Sequence, residues 1–230
     1  MYRNRNIAAI IPALNEEEAI GKVLAELPGE IDRVIVCDNG STDGTAQVAS
    51  SHGADVVLEQ ERGYGAACLR AMAELNDSTD IVLFLDADYS DRPAEAVLLL
   101  DRLIGDDLDL VIGSRMQRAA SRRALTPVAR FGNWLSTRLI RSFWGYTFTD
   151  LGPFRAVTRL ALERAQMRDR NFGWTVELQI RSAKLKMKTA EVPVSYRQRI
   201  GTSKISGTVM GSFKAGTKIL YLIFRELFTQ

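Results

Sequence analysis

Residues Ile81–Leu85 form an uninterrupted apolar run, IVLFL, that leads straight into Asp86-Ala-Asp88. A strand without polar alternation is buried on both faces, so the chain built around it needs helices above and below a mostly parallel sheet. In an open α/β sheet of this kind the ligand cleft lies outside the carboxyl ends of the strands. That places Asp86 and Asp88 at a cleft and lets Pro93 open the following helix. Two hard carboxylates one residue apart suit Mg²⁺ or Mn²⁺, ions usually held by one or two carboxylates together with substrate phosphates. Taken alone, the same residues also fit a polar strand-to-helix turn.

The first half of the chain repeats the arrangement. Apolar runs at Ile7–Ile11, Arg33–Cys37, Val56–Leu58 and Leu108–Ile112 predict further strands. Helical patterns over Glu17–Leu27, Gly44–His52, Gly65–Leu75 and Ala94–Ile104 alternate with them. Alternation of this type predicts a parallel sheet wrapped by right-handed crossovers. With 230 residues, 46% hydrophobic and 25% charged, the chain suffices for one large α/β domain.

Several classes are excluded at this point. The start MYRNRNIAAII lacks the apolar core and cleavage site of a signal peptide, and no apolar stretch reaches membrane-spanning length, so the expected location is the cytosol. Cys37 and Cys68 have no metal-ligand spacing and His52 is the only histidine, which argues against a zinc site or a His-dependent triad. No feature calls for nucleic acid. Charge is divided unevenly: residues 1–113 carry 8 Lys/Arg against 22 Asp/Glu, and residues 114–230 carry 22 against 6. An acidic half that can hold a cation, joined to a basic half that can meet phosphates, fits a phosphate-rich substrate. The same division also fits two halves that attract each other on folding.

Function is expected in the loops after the strands. The first is Pro12-Ala-Leu-Asn-Glu-Glu, where a dinucleotide-binding domain needs a glycine-rich turn; acidic residues at that helix start repel a pyrophosphate. Asn15 and Glu16 fit two roles, contact with a base or ribose, or capping of the helix. In the second, Asp38-Asn-Gly-Ser-Thr-Asp-Gly-Thr, Asp43 fits a helix cap, and Asp38 at the strand end can accept from a nucleobase N–H. Arg62-Gly-Tyr-Gly-Ala-Ala is a glycine turn into a helix.

Read in order, IPALNEE, CDNGSTDGT, RGYGAA, LFLDAD and VIGSR resemble the family 2 glycosyltransferases of GT-A fold, a Rossmann-like, mostly parallel twisted sheet flanked by helices. Within them the chain is most similar to the dolichol- and polyprenyl-phosphate hexosyltransferases. The segments DLGPFR at 150–155, GWTVE at 173–177, EVPV at 191–194 and RIGTSK at 199–204 extend the match over about the first 205 residues. The resemblance implies that Pro12, Asn15, Glu16 and Asp38, with Asp86, hold the nucleotide of a sugar donor. It implies that Asp86 and Asp88 hold Mg²⁺ or Mn²⁺, Asp88 as the direct ligand, and that Arg115, Arg130, Arg199 and Ser203 meet an acceptor phosphate. Ser90 stands where some relatives carry a metal-binding Gln, leaving Asp91 as a substitute, and Gly152-Pro153 departs from the relatives' Ser-Gly. Transfer with inversion is implied by the family alone.

Chemistry bears on the acceptor independently. Displacing a nucleoside diphosphate from a sugar carbon needs charge neutralisation at the leaving group and a nucleophile. An alcohol also needs a base, for which Glu177 and Asp150 are the candidates. A phosphomonoester, with a second pKa near 6, is already largely dianionic and needs only a cationic cradle, for which Arg115, Arg130, Arg155, Arg199 and Lys204 are available. Glu177 otherwise fits a structural or sugar-contacting role.

The basic half also holds two amphipathic stretches. In 127–142, Val128, Phe131, Leu135 and Leu139 make one stripe and Arg130, Trp134, Arg138 and Arg141 another. In 209–228, Phe213, Leu220, Phe224, Leu227 and Phe228 interleave with Lys214, Lys218 and Arg225. Each fits either a core-facing helix or one lying at a membrane interface. The expected organisation is a GT-A domain over 1–205 and a basic amphipathic helix over 206–230, packed on the domain or lying at a membrane. The expected activity is metal-dependent hexose transfer from a nucleotide sugar to an anionic lipid phosphate. The alternatives are a hydroxyl acceptor on a saccharide or lipid, or a non-catalytic nucleotide- or membrane-binding module of the same fold.

Overall fold

The computed structural model describes residues 1–201 and 209–228. Strands β1 (Ile7–Ala13), β2 (Arg33–Asp38), β3 (Asp55–Leu58), β4 (Ile81–Phe84), β5 (Leu110–Ser114), β6 (Arg155–Thr158) and β7 (Thr189–Pro193) form one sheet in the order β3-β2-β1-β4-β6-β5-β7. All neighbouring pairs are parallel except those of β6, which lies antiparallel between β4 and β5. The sheet is mostly parallel, as the alternation predicts, but β4 and β5 are not neighbours. Nothing in the apolar patterning of the first half signals a strand arriving from after residue 150.

Burial on both faces is visible along β4. Val82 and Phe84 join a core with Trp174, Leu222 and Ile223, while Ile81, Leu83 and, just past the strand, Leu85 join a second core with Ile20, Val23, Leu99 and Leu103. Helices α1 (Glu17–Glu26), α2 (Thr45–Ser51) and α4 (Ala96–Gly105) contribute to the second core. Helices α3 (Tyr64–Met72), α6 (Pro127–Trp144), α7 (Arg159–Ala165) and α8 (Trp174–Lys184) contribute to the first. The short α5 (Ala119–Ala124) precedes α6. A 3₁₀ turn, Pro93–Glu95, leads into α4, with proline at the first position where its missing N–H costs nothing.

On α6 the apolar stripe divides, with Leu139 packed against the first core and the start of the stripe turned to solvent. Val128 and Phe131 are exposed, and the buried positions are Asn133, Ser136, Thr137 and Ile140. The helix is fixed at both ends: the Thr126 side chain accepts from Ala129 N, Pro127 follows it, and Gly145 closes the far end in the left-handed region at φ 76°.

The C-terminal helix α9 (Val209–Phe228) packs against α6 and α8. Leu222 and Ile223 enter the first core. Lys184 Nζ reaches Glu226 Oε2 at 3.2 Å and Lys218 Nζ reaches Asp169 Oδ2 at 2.8 Å. Among the described residues no helix is long and apolar enough to cross a membrane.

Phe84 is fully buried, with its ring centroid 4.6 Å from that of Trp174. Phe84→Ala is expected to destabilise the protein by about 3–5 kcal/mol, read from the shift in a denaturant unfolding curve with unchanged slope.

Candidate active site

The carboxyl ends of β1, β2 and β4 face a cleft of about 330 Å³ lined by Pro12, Leu14, Glu16, Asn39, Arg62, Tyr64, Asp86, Asp88, Phe172 and Arg199, among others. A second hollow, about 410 Å³, lies at the start of β4 between Arg5, Asp80, Leu108 and Arg159. It is at the opposite end of the strands from the Asp86–Asp88 pair and takes no part in the site. Pro12, Glu16, Asp86, Asp88 and Arg199, singled out from the sequence, therefore meet in one place.

Two tight backbone turns shape the cleft. Asn15, following β1, and Tyr89, following Asp88, adopt positive φ of 52° and 60°, conformations that ordinary side chains enter at a cost and that cluster at functional sites. Asn15 ties the first loop to the second: its N–H donates to Ser41 Oγ at 2.9 Å and its Oδ1 accepts from Thr42 N at 2.8 Å. Asp38, buried, accepts from Ser41 N at 3.0 Å. Neither Asn15 nor Asp38 lines the cleft; both brace the loops that do. Asp43 accepts from Thr45 N and Oγ1 in an Asx-type turn just ahead of α2, while Gly44 takes the N-cap position that the sequence offered to Asp43.

Asn39, Arg62, Tyr64 and Phe172 also line the cleft, and none of them is a candidate site residue from the sequence. The glycine turn explains them. Asn39 donates to Glu59 O and Glu61 O and accepts from Gly63 N. Gly65 N donates to Asn171 O, and Ala66 N to Arg170 O. A Cβ at Gly63 or Gly65 would stand 2.0 or 1.9 Å from the carbonyl oxygens of Arg170 and Asp169. The two loops are pressed together backbone to backbone, and only glycine allows it. Arg62 and Phe172 thereby reach the same wall, which the turn's spelling signals only as a need for close approach.

At the carboxylate pair, Asp88 Oδ1 accepts from Ser90 N at 2.9 Å, and Arg199 Nη1 lies 3.2 Å from Oδ2. Arg199 Nη2 donates to Glu16 Oε1 at 2.5 Å. Asp86 Oδ1 is buried near the Tyr64 hydroxyl, but neither atom makes a hydrogen bond of good geometry among the described residues. Burial first, and then the Asp88 charge, pushes the Asp86 carboxyl upward, while Arg115 and Arg199 pull it back. An orphaned buried carboxylate oxygen beside a second carboxylate is a donor set that a divalent cation satisfies. No group of three or more His, Cys, Asp or Glu side chains converges as a metal centre among the described residues. Asp91 does not complete one: it is buried, does not line the cleft, and burial drives its carboxyl well above the usual range.

Arg115, Asp150, Arg155 and Glu177 do not line the cleft, and Glu177 takes the structural role its sequence context also fits. Asp150 is fully buried. It accepts from Arg115 N (2.8 Å), Nε (2.7 Å) and Nη2 (2.7 Å), from Asn133 Nδ2 (2.7 Å) and from Leu151 N (2.8 Å). Its backbone is held as well, by Glu191 and Gln179. Gly152 makes room, since a Cβ there would lie 3.2 Å from Arg115 Nε. Arg115 is thus a partner of Asp150, with its guanidinium over the Tyr196 ring, 5.0 Å from the centroid. Arg155 is buried and donates to the carbonyls of Thr175, Leu151 and Gly152. Glu177, also fully buried, accepts from Arg168 N at 3.0 Å, Asp169 N at 2.7 Å and Arg181 Nη2 at 3.2 Å. Its task is to hold the loop that carries Phe172. Arg130 is exposed on α6, away from the cleft lining. Ser203 and Lys204, and the side chains of Phe213 and Lys214, lie outside the described residues.

The model of the family described as glycosyl transferase family 2 matches residues 8–165. An uncharacterized glycosyltransferase of Mycobacterium tuberculosis is 37% identical over 210 residues, spanning 91% of this chain and 94% of that protein. A dolichyl-phosphate hexose transferase of Haloferax volcanii is 34% identical over 232 residues, spanning 98% of this chain and 97% of that protein. Among solved structures, the glucosyl-3-phosphoglycerate synthase of M. tuberculosis, in complex with Mn²⁺, uridine diphosphate and glucosyl-3-phosphoglycerate, superposes with a TM-score of 0.74. It is 25% identical and covers 97% of this chain and 80% of that one.

Arg115 pulls the Asp150 carboxyl below the ordinary carboxylate range despite burial. A depressed value means that the pair stabilises the fold above the unfolded pKa of about 3.9 and that this contribution is lost as pH falls through the folded value. Asp150→Ala strands a buried guanidinium and is expected to cost about 3–5 kcal/mol at pH 7. The difference from the parent protein should shrink in unfolding curves taken below about pH 4.

Proposed function

The chain belongs to glycosyl transferase family 2 and is a glycosyltransferase; on that premise we propose that it transfers a hexose, with inversion, from a nucleotide sugar to a polyprenyl phosphate. The observation that carries the choice of acceptor is the state of the two candidate bases. Asp150 and Glu177 are both buried, and their carboxylates are already engaged by guanidinium and backbone N–H donors. A general base needs a lone pair within reach of the proton it removes, and neither carboxylate lines the cleft. A hydroxyl acceptor is therefore poorly served, and a phosphate dianion needs no base.

In this reading a phosphate oxygen of the acceptor forms the new bond to the anomeric carbon. The bond from that carbon to the β-phosphate oxygen breaks, and the nucleoside diphosphate departs with the electron pair. No proton has to move. Asp86 and Asp88 are the residues to hold Mg²⁺ or Mn²⁺, which when bound neutralises charge on the diphosphate. Pro12, Glu16 and Phe172 line the pocket for the nucleoside, and Arg199 stands beside the carboxylates as the cation for phosphate. The dolichyl-phosphate hexose transferase of H. volcanii, matched over nearly its whole length, supports a lipid phosphate acceptor. The Mn²⁺ and uridine diphosphate complex of the glucosyl-3-phosphoglycerate synthase supports a metal-assisted nucleotide donor.

Attachment to the surface of an anionic membrane completes the proposal. Phe131 and Trp134 on α6 are 61% and 54% exposed with ring centroids 5.8 Å apart, and Phe143 meets Phe224 of α9 at 6.0 Å. Tyr221 and Phe228 of α9 are also exposed, as are Arg130, Arg138 and Arg141 of α6. Exposed aromatic and basic side chains on these helices suit an interface of lipid headgroups. The polar inner face of α6 delivers Asn133 to Asp150, so the same helix connects that surface to the buried Asp150–Arg115 pair.

Asp88→Ala is expected to abolish product formation by purified protein given a panel of nucleotide sugars, polyprenyl phosphate and Mg²⁺ or Mn²⁺, with products identified by mass spectrometry. Glu177→Gln keeps transfer if it still folds, because its role is structural. Dephosphorylated polyprenol serving as well as its phosphate would overturn the acceptor assignment. In vesicle sedimentation, Arg130→Gln combined with Arg138→Gln should weaken binding to anionic vesicles by about 1 kcal/mol per charge removed and leave binding to neutral ones unchanged. Equal binding by parent and variant to anionic vesicles would remove the membrane surface.

A further inference from the structure

The carboxylates of the proposed metal site already have a cation of their own. Arg199 spans Asp88 Oδ2 and Glu16 Oε1, and the segment around it lies along the acidic motif as a strap. Ile200 N donates to Asp88 O at 3.0 Å and Arg197 N to Ser90 O at 2.9 Å. Arg197 Nε donates to Tyr89 O at 2.6 Å, with its guanidinium carbon 3.3 Å from the Tyr89 ring centroid. The strap is anchored at Ser195, whose N and Oγ both donate to Glu95, at 2.6 and 2.7 Å. The Arg199 Nε is buried without a hydrogen-bond partner among the described residues, so the guanidinium is held by two of its donors and satisfied only in part.

We propose that Arg199 is an internal stand-in for the divalent cation, and that capture of the ion by Asp88 and release of Arg199 are one coupled equilibrium. This rests on the metal-dependent reading given above. Asp88 Oδ1 already accepts from Ser90 N and Oδ2 faces Arg199, so a divalent ion arriving at Oδ2 competes with the guanidinium for that oxygen and is repelled by its charge. Without the ion, Asp86, Asp88 and Glu16 would crowd like charges at a partly dry cleft; the arginine offsets that repulsion. With the ion, Arg199 is set free at the site where a phosphate would arrive. Coupling of this kind is reciprocal: whatever factor the ion applies to release of Arg199, a phosphate drawing Arg199 away applies to affinity for the ion. Arg199 is thus a positioning residue for the metal as well as a cation for phosphate.

The test is Mn²⁺ binding without nucleotide, read by the electron paramagnetic resonance signal of the free ion, for the parent protein, Arg199→Gln, Arg199→Lys and Asp88→Asn. Arg199→Gln is expected to bind Mn²⁺ roughly ten-fold tighter, within the 5–150-fold range of ordinary coupling between sites. Arg199→Lys keeps the charge but lacks the fork that bridges both carboxylates, and is also expected to bind tighter than the parent. Asp88→Asn should lose binding. Should Arg199→Gln fold less well, thermal unfolding gives the second readout: a lower midpoint without metal and a larger rise on adding Mn²⁺. If binding requires Asp88 but is indifferent to position 199, this inference falls and the proposed function stands. If Arg199→Gln tightens binding while Arg199→Lys matches the parent, the effect is long-range charge and direct competition is overturned. Absence of Mn²⁺ binding throughout, or undiminished binding by Asp88→Asn, overturns the metal assignment and this inference together.

Discussion

Charge compensation between the two halves of the chain is the constraint on which the site depends. Carboxylates gathered at the carboxyl ends of parallel strands repel one another, and a partly buried carboxylate without a partner is costly. The second half supplies the partners: Arg199 to Glu16 and Asp88, Arg197 to Glu26, Arg118 to Glu95, and Arg170 to Glu59 and Glu61. Each of these pairs ties a late segment to an early loop or helix end, and the Arg199 pairs do so at the cleft itself. Both readings of the uneven charge therefore have a basis in the structure. The halves attract each other, and in doing so they leave carboxylates and arginines side by side where a metal and phosphates are proposed to bind.

Asp150 shows how the same physics becomes rigidity. Five donors converge on its carboxylate, from Arg115 just past β5, from α6 and from its own loop, and Glu191 on β7 holds its backbone. A network satisfied this fully specifies one arrangement, because any displacement strands several buried polar groups at once. It also explains why the inner face of α6 is polar and its aromatic residues point outward. The helix is positioned by Asn133 and by its packing on α8 and α9, which leaves Phe131 and Trp134 exposed for another surface.

The C-terminal helix belongs to the same construction. Lys218 reaches Asp169, whose other oxygen accepts from Asn171 N and Gly173 N and so shapes the loop carrying Phe172. Glu177 supports that loop from beneath. Glu177 and Asp150, the base candidates for a hydroxyl acceptor, are anchors in the structure because buried N–H groups and guanidinium donors need acceptors and these carboxylates supply them. By contrast Asp86, with one buried oxygen unpartnered, keeps capacity for a ligand.

What the sequence determined by itself is the part governed by local pattern. The apolar run of β4 and the alternation around it required a mostly parallel sheet covered on both faces, and the carboxylates at its end required a cleft there. Pro12, Glu16, Asp86, Asp88 and Arg199 were legible for that reason, as residues of spelled motifs at strand ends or in the strap that closes over them. Only the tertiary structure decided which of several chemically equivalent residues remain available. Arg115, Arg130, Arg155 and Arg199 are alike in sequence, yet Asp150 holds the first, solvent surrounds the second, backbone carbonyls surround the third, and the fourth alone lines the cleft. Arg62 and Phe172 became neighbours of the site only because Gly63 and Gly65 let two distant loops touch. Partnership between residues far apart in the chain is a property of packing, and no local pattern of residue types records it.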